Sequence, residues 1–209
     1  MIKGTFNQIV KASAKFGGAL VVFEGKPELL VGGFNFNLND LPAPGDVLPC
    51  GTPVNCDEST RVITPIITGK VESVSGTAVT LKDLGFGQTA FKVGSTVAIL
   101  PEDLDDAAAK YATIESKDGN VITLSAAIEG LAADAILVEV DATSKKVKAI
   151  PNALTPYDIV RDANAISVDG DGMYKNDRPV LERRMPAINQ AIKDALLFYG
   201  CQFKFSNRK

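Results

Sequence analysis

Between Lys70 and Asp141 the chain writes one pattern twice. Val71-Glu-Ser-Val-Ser-Gly-Thr-Ala-Val-Thr-Leu81 aligns without a gap on Ile114-Glu-Ser-Lys-Asp-Gly-Asn-Val-Ile-Thr-Leu124, with identity at Glu72/Glu115, Ser73/Ser116, Gly76/Gly119, Thr80/Thr123 and Leu81/Leu124. Each copy is two short alternating runs around a glycine-containing turn, Ser75-Gly76 or Asp118-Gly119, which is the signature of a β-hairpin. A further β run follows each copy, Phe91–Leu100 in the first and Ala135–Val140 in the second. A lone hairpin is marginal in water, so two such units must cover each other's apolar faces, and a small closed barrel does this while leaving the fewest strand edges. The expected fold is therefore mainly β: a small β-barrel built from an internal repeat across 45–149, an N-terminal strand-rich arm or small β subdomain over 1–44, and a C-terminal region, 150–209, containing one helix at 186–199.

Hydrophobic residues make up 45% of the 209, enough for a real core and far from the composition of a disordered tail. A net charge of -3 supplies no general attraction to nucleic acid or to an anionic membrane, so neither is expected as a partner. Gly18–Phe23, the longest apolar run near the start, is too short to span a bilayer and follows no signal-peptide pattern; synthesis in the cytoplasm is the expectation. Histidine is absent, which removes Ser-His-Asp and Cys-His catalysis. Three cysteines, Cys50, Cys56 and Cys201, cannot all pair and read as reduced thiols packed like small hydrophobes.

The two ends read differently from the repeat. Ala19–Phe23 is a buried-strand candidate, Glu24–Pro27 a turn and Glu28–Val31 a returning strand. Phe34, Phe36 and Leu38 then alternate with asparagines, as in an edge strand or an arm that adds to a neighbouring subunit's sheet, hinged at Gly17-Gly18 and Gly32-Gly33. Pro101-Glu102-Asp103 is expected to open a short helix ending near Tyr111, with its carboxylates in the first turn. Beyond Ala149 a proline-punctuated connector leads to a strand at 165–168, an Asp-Gly turn at 169–172, the helix, with Pro186 at its start and Gly200 at its stop, and a last strand carrying Phe203 and Phe205.

None of the polar clusters makes an enzyme motif. Asp169-Gly170-Asp171-Gly172 lacks the third ligand and the glutamate of a calcium loop. Glu102, Asp103, Asp105 and Asp106 are accounted for by an acidic helix start, and Leu84-Gly85-Phe86-Gly87 lacks the Lys-Ser/Thr of a phosphate loop. Arg178, Glu182, Arg183 and Arg184 form a charged cluster before the helix that can solvate a face or grip an acidic partner. The loop 82–90 is richer in glycine than its counterpart in the second copy, and unequal loops on a symmetric scaffold are where partners bind. No catalytic residue, metal ligand or cofactor site is expected.

Leu48-Pro-Cys-Gly-Thr-Pro-Val54, Asp57-Glu58, Phe91-Lys-Val-Gly94, Gly119–Leu124, Ala149–Leu154 and Pro186-Ala-Ile-Asn-Gln-Ala-Ile-Lys-Asp-Ala-Leu196, taken in this order, resemble phage head-fibre and capsid-decoration proteins over about residues 45–205. The resemblance implies a virion protein without catalysis, made in a bacterial cytoplasm, attached to the major capsid protein and assembled as a homotrimer. Candidate partner-binding residues are Phe34, Phe36, Leu38, Phe86, Arg183 and Arg184. The alternative is a carbohydrate-binding or other ligand-binding β-barrel, which would call for aromatic platforms; tryptophan is absent and the four tyrosines are dispersed.

Overall fold

The computed structural model describes residues 22, 23, 25–30 and 33–207. They form β1 (Pro27–Leu29), β2 (Phe34–Phe36), β3 (Val47–Leu48), β4 (Pro53–Asp57), β5 (Val62–Pro65), β6 (Thr68–Ser75), β7 (Ala78–Leu81), β8 (Thr96–Ile99), β9 (Tyr111–Asp118), β10 (Val121–Leu124), β11 (Ile136–Val140), β12 (Ala153–Leu154), β13 (Ile159–Val160), β14 (Val168–Gly170), β15 (Met173–Asn176), β16 (Val180–Leu181) and β17 (Phe205–Ser206). One α-helix, α1 (Gln190–Phe198), and a 3-10 turn at Glu182–Arg184 complete the set. The protein is mainly β.

Strands β6 to β11 close a six-stranded barrel in the order β10-β7-β6-β11-β8-β9, with every neighbouring pair antiparallel. The expected hairpins are β6–β7 and β9–β10, turning at Gly76 and Gly119, whose φ of 61° and 57° an L side chain rarely adopts. Period-two alternation decides the faces. Val71, Val79, Leu81, Ile114, Ile122, Leu124 and Leu137 point inward and are buried with Phe91, while Glu72, Ser73, Glu115 and Ser116 stay in water.

The second sheet runs β1-β15-β12-β4-β5-β2-β14 and draws strands from both sides of the barrel sequence. Only residues 171 and 172 join β14, at one edge, to β15, next to the other. Three Cα steps reach at most about 11 Å, whereas five strand spacings in a flat sheet need about 24 Å, so this sheet must curl strongly. Its inner face is correspondingly tight. A Cβ on Gly170 would lie 2.2 Å from the Phe36 ring, and one on Gly172 would lie 2.5 Å from Cys56 Sγ.

The barrel is therefore shorter than the segment 45–149. β4 and β5 belong to the curled sheet, where β4 pairs with β12 and β5 runs parallel to β2. Nor does β2 form an exposed arm: β5 and β14 flank it, and Phe34 and Phe36 are 1% and 4% exposed. Alternation shows that one face is buried but not in whose core, and here the core is the chain's own. One apolar cluster runs from Phe34, Phe36 and Ile63 in the sheet to Val79, Phe91 and Leu124 in the barrel. Ion pairs tie the same junction, Asp46 to Lys117 at 2.5 Å and Asp40 to Lys148 at 3.0 Å.

Residues 101–110 form turns rather than a helix, and Tyr111 already belongs to β9. Of these ten side chains only Leu104 is buried, which is too little to hold a short helix in place. α1 starts at Gln190 instead of Pro186, because Asn189 caps it, accepting from the Ile192 N–H at 3.1 Å and donating Nδ2 to the Pro101 carbonyl at 2.7 Å. The expected strand at 165–168 is β14, shifted to Val168–Gly170, so the Asp-Gly turn is shorter than expected. Phe205 lies in β17, parallel to β16, and Phe203 lies beside it outside any strand. Of the expected strand at 19–23 only Val22 and Phe23 fall within the described residues, and Phe23 bridges to Val180. Gly17-Gly18, Val31 and Gly32 lie outside them.

Candidate functional site

Two concave surfaces flank the C-terminal region. The first, a groove of about 290 Å³, lies between the barrel and residues 182–188. Its barrel wall is the loop 82–90, which one carboxylate organises: Asp83 Oδ1 accepts from the N–H of Gly85 at 2.8 Å, of Phe86 at 3.1 Å and of Gly87 at 3.0 Å. Partial burial works against the Asp83 charge, but donation from Gly87, Gly85 and the Asn120 side chain outweighs it and lowers the pKa. Gly119 is needed here as well as for its turn, since a Cβ would sit 2.9 Å from the Gly87 carbonyl oxygen. The sequence asymmetry of this loop thus corresponds to a fixed shape.

Opposite the loop, the 3-10 turn brings in Arg183, whose carbonyl accepts from Lys82 Nζ at 3.1 Å. The other ions of the wall are engaged within the chain. Lys70 pairs with Asp134 at 2.6 Å, and Glu182 holds Lys193 at 2.5 Å and the Asn207 amide at 2.7 Å. Sequence candidates about a hundred residues apart, Arg183 and the loop bearing Phe86, meet at this groove. Arg184 is half-buried in the same turn. Phe34 and Phe36 are core residues, and Leu38 is half-buried against that core, so these three do not share a surface with the others.

The second surface is a shallow cleft of about 440 Å³ between α1 and the turns at 102–105. Ile192 and Leu196 anchor the buried face of α1, and the residues just after Leu196 point away from the core. There Leu197, Phe198 and Tyr199 are 70%, 83% and 51% exposed, with the two rings edge to face at 5.3 Å. Glu102, Asp103, Asp105 and Asp194 are exposed around the cleft, and the last helical turn carries no basic residue to offset its negative pole. Sequence reasoning passed over Leu197 and Phe198. The available signal was two large apolar residues off the Ile188-Ile192-Leu196 stripe, on the face a surface helix normally keeps polar.

The cysteines are free thiols that burial makes unreactive. Their pKa values are raised, to about 12 for Cys56 and about 11 for Cys201, chiefly by desolvation. A buried ionic cluster joins Glu139 to Ser95 Oγ at 2.5 Å and to Lys148 Nζ at 3.3 Å, and Asp40 completes it. Among the described residues no group of three Cys, Asp or Glu side chains is placed to hold a metal ion, and no helix is long and apolar enough to cross a membrane. No family model, no curated protein and no solved structure matches the chain.

Proposed function

We propose that this chain is a non-enzymatic structural protein that docks on a virion shell as a head-fibre or capsid-decoration protein, with the major capsid protein as its partner. The observation that carries the reading is the exposed Leu197-Phe198-Tyr199 patch at the end of α1. Large exposed apolar groups held by a rigid scaffold are what a protein interface needs and what an isolated soluble surface avoids. The groove fits the same reading, because Lys70, Asp134 and Glu182 are held in ion pairs and Lys82 on a backbone carbonyl rather than converging on a point where a substrate atom could react.

The barrel is best read as a duplicated three-strand unit, β6-β7-β8 and β9-β10-β11. Exchanging the two units returns the same set of neighbours, and the registers follow the exchange. Val79 faces Ile122 and Ala98 faces Val138, while the pairs Thr68–Val138 and Tyr111–Ala98 interchange. Duplication yields a stiff platform whose loops can diverge, as 82–90 has.

Assembly as a homotrimer belongs to the same proposal and is tested by light scattering, where a clean monomer at micromolar concentration would count against it. The capsid reading is tested by co-sedimentation of the purified protein with shells assembled without it. Saturable binding to assembled shells, and none to free capsid subunits, is the expected result; no binding to shells would overturn the assignment.

A further inference from the structure

We propose that the cleft at the C-terminal end of α1 is the docking surface, and that it takes a basic, apolar segment of the partner protein. The inference rests on the virion-shell reading for the partner's identity, but the chemistry of the occupant follows from the cleft itself. Its rim is formed by Glu102, Asp103, Asp105 and Asp194. Its helical wall ends in a negative pole with no lysine or arginine in the last turn, and the helix stops through Gly200 at φ 81° with backbone bonds. An anionic occupant would meet like charge along the rim.

Apolar contact supplies the other half. Phe198 and Tyr199 stand edge to face beside a floor that includes Leu104 and Ile150. Aromatic residues already fixed by a helix lose little freedom on binding, and they suit the aliphatic stems as well as the charged heads of lysine and arginine. A segment pairing lysines or arginines with leucine-like side chains therefore satisfies both the rim and the wall. Electrostatic attraction across such a surface mainly steers encounter and sets salt dependence, whereas the aromatic anchors set affinity.

The test uses the full chain with two ligands: a short amphipathic helical peptide of lysine and leucine as a chemical probe, and assembled shells lacking this protein. Phe198→Ser/Tyr199→Ser and Glu102→Lys/Asp105→Lys are the variants; all four side chains are exposed, so thermal melting should be unchanged. The wild type is expected to bind both ligands more weakly as salt rises, and each double variant to lose at least about tenfold toward both. Shell binding undiminished in both variants would overturn the docking surface while leaving the capsid reading intact. Probe binding lost in the variants, with no shell binding by the wild type, would support the cleft and sink the capsid reading instead. A wild type that ignores the probe would overturn the cleft's assigned chemistry. Residues 1–21 carry Lys3, Lys11 and Lys15 and no carboxylate, so they share the occupant's chemistry. If deleting them raises probe affinity about tenfold, the chain's own segment is the occupant and the partner assignment falls.

Discussion

Glu139 illustrates how single residues set the energetics at the junction of barrel and sheet. Its carboxylate is 3% exposed and depends on Ser95 and Lys148 for its compensation, with one oxygen, Oε2, unpartnered among the described residues. Removing the cation strands that charge, so Lys148→Met is expected to cost about 3–5 kcal/mol in urea unfolding. Burial disfavours the Lys148 ammonium, but Glu139 and Asp40 outweigh it and raise its pKa. A raised folded pKa stabilises fully below the ordinary lysine value and is lost as pH climbs through the folded one. Melting temperature should accordingly fall above about pH 10.4, less so in Lys148→Met. The acid limb has the opposite sign. Side-chain donation by Ser59 and Thr60 depresses Asp57 to about 2, so its stabilisation is complete above the ordinary aspartate range and disappears as pH falls toward 2. Asp57→Asn should flatten that limb in a pH series of melting curves. On the inner face of the curled sheet, Gly170→Ala would force a methyl against the buried Phe36 ring and is expected to cost about 1–3 kcal/mol.

Among the elements, α1 depends most on contacts distant in sequence. Asn189 both caps it and ties it to the Pro101 carbonyl, so Asn189→Ala removes two bonds at once. A loss of about 1–2 kcal/mol is expected, with the cleft disordered before the barrel in hydrogen exchange. The hairpins were legible in the sequence because everything that makes them is local: period-two alternation and a turn glycine. β2 was legible as a strand for the same reason. Its partners were not, since a parallel neighbour at Val62–Ile63 and an antiparallel one at Val168–Gly170 leave no mark near Phe34. At 101–110 an acidic, alanine-rich composition favours a helix, but the segment lacks a buried stripe, which counts only once packing is considered, and it forms turns.

At the scale of the whole molecule, barrel and sheet share one apolar cluster and the ion pairs Asp46–Lys117 and Asp40–Lys148. The full chain should therefore unfold in a single transition seen alike by calorimetry and circular dichroism. A fragment of residues 45–149 keeps β4 and β5 but loses β2 and β12, their neighbours, and is expected to lack cooperative melting. Deleting residues 1–42 takes β1, β2 and Leu41 from the core and should likewise abolish cooperative folding.

Taken alone, the sequence determined the class of structure: mainly β, two matched hairpins, a single C-terminal helix. It also marked the loop 82–90 and Arg183 as separate points of interest. Each of these rests on near-neighbour chemistry, the side-chain period and the φ a turn glycine permits, which the chain carries in contiguous residues. Only the tertiary structure decided that Phe34 and Phe36 are core, that β4 and β5 leave the barrel, and that Phe198 faces water beside four carboxylates. Those outcomes depend on pairings between segments up to about a hundred residues or more apart. Which apolar face ends up covered is decided by the competition among all of them for the same core, and no local window contains it.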